Sequence, residues 1–306
     1  MDEKDVFDGY LGVETPLPGL NDIEGSTIPA TMNHVIDSHV HLFPKMIFDA
    51  VWDWFDTHGW PVRYKLSSSE LLTFLFEHKI DHVVAFQYAH KPGISAWLND
   101  YMVHKVAGFN GRVTGLATVF PGEEGAVDIL DRAFDQGLKG VKLHVHVQCF
   151  DPVGKEMDPI YDLCARRGMP MVIHGGREPK SPAYACDPYE LCSAGRIEQV
   201  IRTYPDLKLC IPHFGMDEYD AYTRLINDYD NLWLDTAMAV TDYLPVDSPV
   251  NLLELRPDRI LYGSDFPNIP YAWDRELKAL ENSGLSRESM DRITWKNAAE
   301  LFDIRL

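Results

Sequence analysis

The 306-residue chain has the composition of a folded globular protein, with 45% hydrophobic and 25% charged residues. Its formal net charge of -19 at pH 7 argues against nucleic acid or an anionic membrane surface as a partner, because both bind through clustered Lys and Arg. No apolar run approaches the roughly 20 residues that cross a bilayer. The five cysteines lack metal-type spacing and no signal peptide is evident, so we expect a cytoplasmic protein that acts on a small molecule.

Residues 1–33 are predicted to form an irregular N-terminal arm, and residues 34–306 a single folded domain. The arm mixes acidic residues with prolines and shows little periodicity. Its apolar residues Val6, Phe7, Tyr10 and Leu11 could pack on the domain or on a second subunit, so the sequence leaves a homodimer open.

The segment from Val35 to Pro44 has the pattern of a short buried strand that carries two histidines and ends at a proline. Strict alternation along a strand predicts that Asp37, His39 and His41 point to one face. Two imidazoles placed in this way can bind one cation. A pair of hydrogen-bonded core histidines is the alternative.

An unusually aromatic segment, Phe43 to Lys65, follows this strand. Apolar residues at helical spacing, among them Ile47, Val51 and Trp54, predict a helix. The helix could simply pack on the core, or it could form a lid over whatever the two histidines bind.

From Ser68 onward, predicted helices and strands alternate. Counting from Val35 gives eight strands, the later seven near 82–87, 113–119, 140–147, 169–174, 207–213, 232–235 and 260–265. Alternation of this kind implies parallel βα units with right-handed crossovers. Eight units predict an α/β fold of the closed (β/α)8 TIM-barrel type. An open doubly wound sheet ranks second, because no glycine-rich phosphate fingerprint follows the first strand.

Five side chains that can bind a metal stand at the ends of the predicted strands: His39, His41, His174, His213 and Asp265. In a barrel of parallel strands the carboxyl ends meet at one mouth, where the chemistry is placed. Four histidines and an aspartate converging there predict a metal site.

These motifs resemble the amidohydrolase superfamily of metal-dependent barrels, and within it the amidohydrolase-2 family that includes aminocarboxymuconate semialdehyde decarboxylase. The resemblance covers nearly the whole chain from Val35. Its motifs are Asp37-Ser38-His39-Val40-His41, Gly140-Val141-Lys142-Leu143-His144, Val172-Ile173-His174, Pro212-His213-Phe214-Gly215, Tyr262-Gly263-Ser264-Asp265-Phe266-Pro267 and Asn297-Ala298-Ala299-Glu300-Leu301-Phe302.

The resemblance implies that His39, His41, His174 and Asp265 bind one divalent metal, usually zinc, and that His213 is catalytic. Three imidazoles and one carboxylate leave a coordination position for water, as in catalytic zinc sites. Asp265 can accept a proton from that water while it remains a ligand, so we predict that Asp265 is catalytic as well.

The fourth strand carries Lys142, His144 and His146, which share one face if the strand alternates. In two-metal relatives a carboxylated lysine bridges the metals from this strand. We favour a deeper Lys142 with His144 or His146 nearer the mouth, predict that all three contribute to substrate binding, and keep a second metal as the alternative.

The loop after the fifth strand, from Gly175 to Pro188, is long enough to act as a lid. Arg177 in this loop is predicted to hold a substrate carboxylate, with a solvent-facing loop arginine as the alternative.

The leading functional prediction is a hydrolase that uses a metal-activated water to cleave an amide, ester or lactone bond of a small, carboxylated molecule. The alternative is a non-oxidative decarboxylase of the same family, which would use the same four ligands. A barrel that only binds metal and a partner through its N-terminal arm is the third possibility. No residue in the sequence separates hydrolysis from decarboxylation.

Overall fold

The computed structural model describes residues 19–177, 183–243 and 250–306. Residues 1–18 of the predicted N-terminal arm and residues 178–182 of the predicted lid loop lie outside this range, and the division of the chain at residue 33 stays a prediction. No helix in the described parts of the chain is long and apolar enough to cross a membrane.

Eight parallel strands run through the described residues. They are β1 (Ile36–His41), β2 (His82–Phe86), β3 (Val113–Gly115), β4 (Val141–His144), β5 (Met171–His174), β6 (Leu209–Ile211), β7 (Leu232–Asp235) and β8 (Ile260–Leu261). Neighbouring strands pair in sequence order, β1 to β3 in one sheet and β4 to β8 in another. Isolated parallel bridges join the sheets at both seams, Ala117 to Val141 and Val40 to Phe266. The predicted TIM barrel is therefore confirmed.

Helices connect the strands and surround them. They are α1 (Lys45–His58), α2 (Ser68–Glu77), α3 (Ser95–Ala107), α4 (Ala126–Asp135), α5 (Val145–Gln148), α6 (Asp158–Arg167), α7 (Pro188–Leu191), α8 (Ala194–Thr203), α9 (Tyr219–Asp228), α10 (Arg275–Glu281), α11 (Arg287–Asp291) and α12 (Asn297–Phe302). Single turns at Pro212–Gly215, Leu252–Glu254 and Pro257–Arg259 and a π-helical turn at Arg292–Lys296 complete the described elements.

The hydrophobic core has two parts, as expected for parallel strands that are buried on both faces. The larger part lies between the strands and the helices. The smaller one joins residues from strands around the barrel to the C-terminal helix α12, and consists of Ile36, Val84, Phe86, Leu116, Val172, Cys210, Leu261, Ala298, Leu301, Phe302 and Ile304. The second part fills the barrel below the mouth and supports the side chains that end the strands.

A β-bulge in β1 corrects the predicted side-chain pattern of this strand. Asp37 pairs with Val83, but Val40 pairs with Ala85, so β1 contains one residue more than β2 over this interval. The extra residue breaks the alternation. The prediction that Asp37 shares a face with both histidines is therefore wrong: His39 and His41 pack on Phe86, with ring centroids 4.9 and 5.0 Å away.

The fourth strand is shorter than predicted, and this corrects the placement of His146. Strand β4 ends at His144, and the next four residues form the single helical turn α5. Gln148 fixes this turn because its side-chain oxygen accepts the backbone N–H of His144 at 2.7 Å. His146 therefore does not share a strand face with Lys142 and His144, and it reaches the mouth from the helical turn.

The turn after β6 depends on a glycine that has no room for a side chain. Gly215 has φ +77°, and a Cβ there would lie 1.9 Å from the ring of Tyr222. Tyr222 is fully buried, and its hydroxyl donates to the carbonyl of Gly175 at 2.9 Å. The ring cannot move away without breaking that bond.

We predict that Gly215→Ala lowers the free energy of unfolding by about 2–4 kcal/mol, through backbone strain and overpacking. Gly195→Ala in α8 is the matched control, since no atom lies within 4 Å of its Cβ position. It should stabilise the protein by up to about 1 kcal/mol through helix propensity. Urea denaturation of both variants measures the difference, and equal stabilities would contradict this account of the turn.

Candidate active site

Three of the four predicted metal ligands meet at the mouth of the barrel. The Nε2 atoms of His39 and His41 lie 3.2 and 2.9 Å from Oδ1 of Asp265. All three side chains are buried, and their ligand atoms lie within 4.8 Å of one another. Two imidazoles and one carboxylate on rigid strand ends form a donor set suited to a divalent cation.

A buried aspartate holds the two strands that carry these residues together. Asp37 Oδ1 accepts the backbone N–H of Ser264 from the β8 side and that of His39 from its own strand, both at 3.1 Å. Burial raises the pKa of Asp37 to about 7. Beyond Ser264 the chain turns with Asp265 at φ 62°, and the carbonyl of Phe266 accepts the N–H of His41 at 2.8 Å.

Asp235, at the end of β7, orients His39. Its Oδ2 lies 2.7 Å from Nδ1 of His39, and both side chains are almost fully buried. Burial acts to lower the pKa of His39, but the charge and the hydrogen bond of Asp235 outweigh it and raise this pKa to about 9. Because Nδ1 is engaged, Nε2 is the nitrogen that faces Asp265, the arrangement by which a carboxylate commonly orients a metal-binding histidine.

The same carboxylate also holds the segment that contains His213. Oδ1 of Asp235 accepts the backbone N–H groups of His213 at 2.9 Å and of Ala237 at 3.1 Å. Asp235 was absent from the sequence prediction. The signal was present, because Asp235 is a carboxylate at the end of a predicted strand, the same criterion that selected Asp265.

His213 is buried in the turn after β6, with its backbone in the left-handed region at φ 56°. Its Nδ1 lies 2.9 Å from the carbonyl oxygen of Ala237. A carbonyl only accepts, so Nδ1 carries the hydrogen and Nε2 is left as an acceptor. Burial, together with the charge of His39, lowers the pKa of His213. Its ring centroid lies 4.9 Å from that of His39 and 4.8 Å from that of His174.

His174, the fourth predicted ligand, lies in a second group of imidazoles with His144 and His146. The rings of His144 and His174 stack at 4.1 Å, and that of His146 meets His144 edge-on at 4.5 Å. Burial and the neighbouring histidines keep the pKa of His144 well below its ordinary value. Thus the structure brings His174 to the mouth beside His213, but not into the group of His39, His41 and Asp265.

Two further residues predicted to bind substrate lie at different depths in the barrel. Lys142 is fully buried, and its Nζ lies 4.7 Å from the ring centroid of Phe86 inside the barrel. Arg177 lies at the rim, where its Nε is 3.2 Å from the carbonyl oxygen of Tyr189 and 3.6 Å from Oε1 of Glu218. Their roles in substrate binding stay predictions.

The aromatic segment after β1 forms helix α1 and extends to the mouth. Phe48 and Trp52 are buried and stack at 5.0 Å, as the packed-helix interpretation expects. On the same helix, Trp54 stacks on Tyr184 at 5.4 Å, and Tyr184 lies 4.5 Å from the ring of His146. The segment therefore packs on the core and also meets the described part of the loop after β5.

The geometry of His39, His41 and Asp265, which we call the ligand group, fits a bound cation. Asp265 is buried, which acts to raise its pKa, but its contacts with His39 and His41 outweigh burial and hold this pKa well below its ordinary value. The buried Nε2 of His39 lies 3.2 Å from Oδ1 of Asp265 but has no well-aligned hydrogen bond to it. A buried ring nitrogen without a hydrogen-bond partner is costly, and a divalent cation between these three side chains would engage it.

Solved structures of similar fold include several decarboxylases. One is 5-carboxyvanillate decarboxylase from Sphingomonas paucimobilis, with 15% identity and a TM-score of 0.61 over 89% of this chain and 99% of that one. Another is a dihydroxybenzoic acid decarboxylase from Polaromonas, with bound manganese and the inhibitor 2-nitroresorcinol, at 17% identity and a TM-score of 0.63 over 89% and 97%. An uncharacterised TIM-barrel protein from Bordetella bronchiseptica has 16% identity and a TM-score of 0.69 over 89% and 99%.

The family to which the chain belongs follows from its sequence. The amidohydrolase family model matches residues 36–304, from the first residue of β1 to two residues beyond α12. This range contains all the side chains of the ligand group, together with Asp235 and His213. The chain is therefore a member of the amidohydrolase family.

Proposed function

We propose that this enzyme is a metal-dependent, non-oxidative decarboxylase of a small, hydroxylated aromatic carboxylic acid. The observation that carries the proposal is the composition of the mouth: His39, His41 and Asp265, with His213 beside them, lie among aromatic rings. The rings of Phe43 and Tyr88 lie 6.0 and 5.8 Å from that of His41. Such walls suit a flat aromatic substrate whose charged end reaches the cation.

The solved structures support decarboxylation over the hydrolysis that the sequence favoured. Two neighbours of the same fold are named as decarboxylases of carboxyvanillate and of dihydroxybenzoic acid. Hydrolysis of an amide, ester or lactone becomes the second candidate function, because the family takes its name from that chemistry.

We propose that one divalent cation is held by His39, His41 and Asp265, with His174 as the fourth ligand. Imidazole and carboxylate donors suit zinc and manganese alike, and manganese is bound by the Polaromonas neighbour. When bound, such a cation would act as a Lewis acid that polarises substrate oxygens. Asp235 keeps Nε2 of His39 available to it.

Decarboxylation replaces a carbon–carbon bond by a carbon–hydrogen bond, so one proton must reach the carbon that loses carbon dioxide. His213 and Asp265 are the buried groups at the mouth that we assign to this proton. The hydrogen on Nδ1 of His213 is committed to the carbonyl of Ala237 at 2.9 Å, so its Nε2 would take up a proton from water or from a substrate hydroxyl group and deliver it to that carbon. The aromatic rings meanwhile exclude water from the cleaved bond.

The four residues predicted to bind substrate fit this reaction in different ways. His144 and His146 lie between the ligand group and Tyr184, whose ring contacts that of His146 at 4.5 Å. We propose that these two histidines contact the substrate ring or its hydroxyl groups. Lys142 would add positive charge below the site, and Arg177 would attract the carboxylate at the rim.

The direct test is a comparison of reaction products. Purified protein, supplied with manganese or zinc, is incubated separately with 5-carboxyvanillate, 2,6-dihydroxybenzoate, and a panel of lactones and aryl amides. We expect release of carbon dioxide from at least one aromatic acid and no hydrolysis. Hydrolysis of a lactone or amide without release of carbon dioxide would overturn the decarboxylase proposal in favour of the hydrolase.

Metal titration tests the ligand set. We predict one equivalent of divalent cation per chain, as a single four-ligand site implies. His174→Ala should weaken binding as His39→Ala does, whereas His144→Ala should leave it nearly unchanged. Calorimetry measures the affinities. Two equivalents that are lost together in Lys142→Ala would instead support a bridging lysine.

Asp235 provides a second test of the same site. Loss of the carboxylate that orients a metal-binding histidine commonly costs 10- to 100-fold in metal affinity, and we expect this loss for Asp235→Asn, which preserves side-chain volume. Asp228→Asn, on the exposed surface of α9, is the control and should bind normally. Equal affinities in a folded Asp235→Asn protein would contradict the orienting role.

His213→Asn separates catalysis from metal binding. Asn keeps a polar side chain but cannot carry the proton, so turnover should fall by about 10²- to 10⁴-fold. The metal content should not change, because His213 lies outside the proposed ligand set. Loss of metal in proportion to activity, measured by elemental analysis of the purified variant, would show that His213 is a ligand.

A further inference from the structure

Two cysteines meet at one backbone oxygen beside the mouth. Cys149 ends the turn α5, and its Sγ lies 3.4 Å from the carbonyl oxygen of His146. Cys186, from the loop after β5, places its Sγ 3.3 Å from the same oxygen. Burial, together with the neighbouring thiol of Cys149, raises the pKa of Cys186 to about 12.

All five cysteines lie in the described residues, and these two are more accessible to solvent than the other three. Cys149 is exposed and Cys186 is half-buried, whereas Cys164, Cys192 and Cys210 are buried. Cys164 and Cys210 belong to the hydrophobic core. Cys192 is close to the pair, with its Sγ 3.8 Å from Nδ1 of His146, and is the neighbour that any test must distinguish.

The loop that carries Cys186 contributes to the wall of the active site. Tyr184, two residues earlier, lies between Trp54 of α1 and the ring of His146, 5.4 and 4.5 Å from them. Cys149 instead ends the turn α5, which directly follows β4 of the barrel. A covalent bond between the two sulfurs would therefore fasten this wall to the barrel.

We propose that Cys149 and Cys186 are an oxidative modification site, which forms a reversible disulfide in response to a peroxide. The Cys149 thiol loses its proton and its sulfur attacks one peroxide oxygen, which breaks the O–O bond and gives a sulfenic acid; the departing hydroxide takes up the thiol proton and leaves as one water. The Cys186 sulfur then attacks the sulfenic sulfur, its thiol proton leaves with the hydroxyl group, and a second water is released. Two thiols and one peroxide thus yield one disulfide and two waters, and a dithiol reductant reverses the reaction.

The expected consequence is a narrower and less mobile mouth. We infer that Tyr184 separates from Trp54 or from His146 when substrate enters, a movement that the disulfide would restrain. None of the side chains proposed to bind the cation is altered. Oxidation should therefore lower the rate of substrate capture and leave the metal content unchanged.

The site is tested on the full chain with hydrogen peroxide alone. Peptide mapping without reductant should identify a link between the peptides that contain Cys149 and Cys186, with the loss of two hydrogens and two titratable thiols per chain. Cys192→Ser should form the same link. Cys149→Ser and Cys186→Ser should not form it, and dithiothreitol should restore both thiols in the wild-type protein.

Other products would overturn the proposal. These are a Cys186–Cys192 or Cys149–Cys192 link, a sulfinic acid on Cys149 with Cys186 still reduced, or full retention of all thiols under peroxide. The mapping needs no substrate, so it stands or fails independently of the decarboxylase proposal. If the proposed activity is found, its kcat/KM should fall by at least tenfold on oxidation and recover with dithiothreitol.

Discussion

The arrangement of the mouth depends on one buried carboxylate. Asp235 binds Nδ1 of His39 with one oxygen and the backbone N–H groups of His213 and Ala237 with the other. It therefore joins β1, the turn after β6 and the end of β7. Removal of one partner from a buried charged pair commonly costs about 3–5 kcal/mol. Asp235 thus helps to position both His39, the first proposed ligand, and His213, the histidine that we propose to be catalytic.

The proposed ligands stand on rigid parts of the barrel, whereas the aromatic wall around them stands on more adaptable segments at the rim. The ligand group stands on β1 and on the turn after β8, which Asp37 links through the backbone N–H of Ser264. The aromatic wall comes from α1 and from the loop that contains Tyr184, where contacts are between rings rather than within a sheet. One rigid site can therefore serve different substrates in related enzymes, because changes in the wall need not disturb the ligands.

Much of this architecture could be predicted from the sequence, and the errors have local physical causes. The eight strands were recognisable because buried parallel strands are short apolar runs, and their ends correctly located the mouth. The bulge in β1 leaves no trace in composition, so Asp37 was assigned to the wrong face. His146 was misplaced because Val145–Gln148 looks like a continuing strand, whereas hydrogen bonding by Gln148 ends the strand at His144. The role of Asp235 could not be predicted from the sequence, because its partners His39 and His213 are far from it along the chain and meet it only in the folded structure.

We propose that His39, His41 and Asp265, rather than the neighbouring group of His144 and His146, hold the catalytic cation. Anomalous diffraction from crystals grown with manganese, recorded at a wavelength at which manganese scatters strongly, locates the ion directly. We predict one peak in contact with Nε2 of His39, Nε2 of His41 and a carboxylate oxygen of Asp265, with His174 turned towards it. A single peak bound by His144, His146 and His174, with none at Asp265, would contradict it.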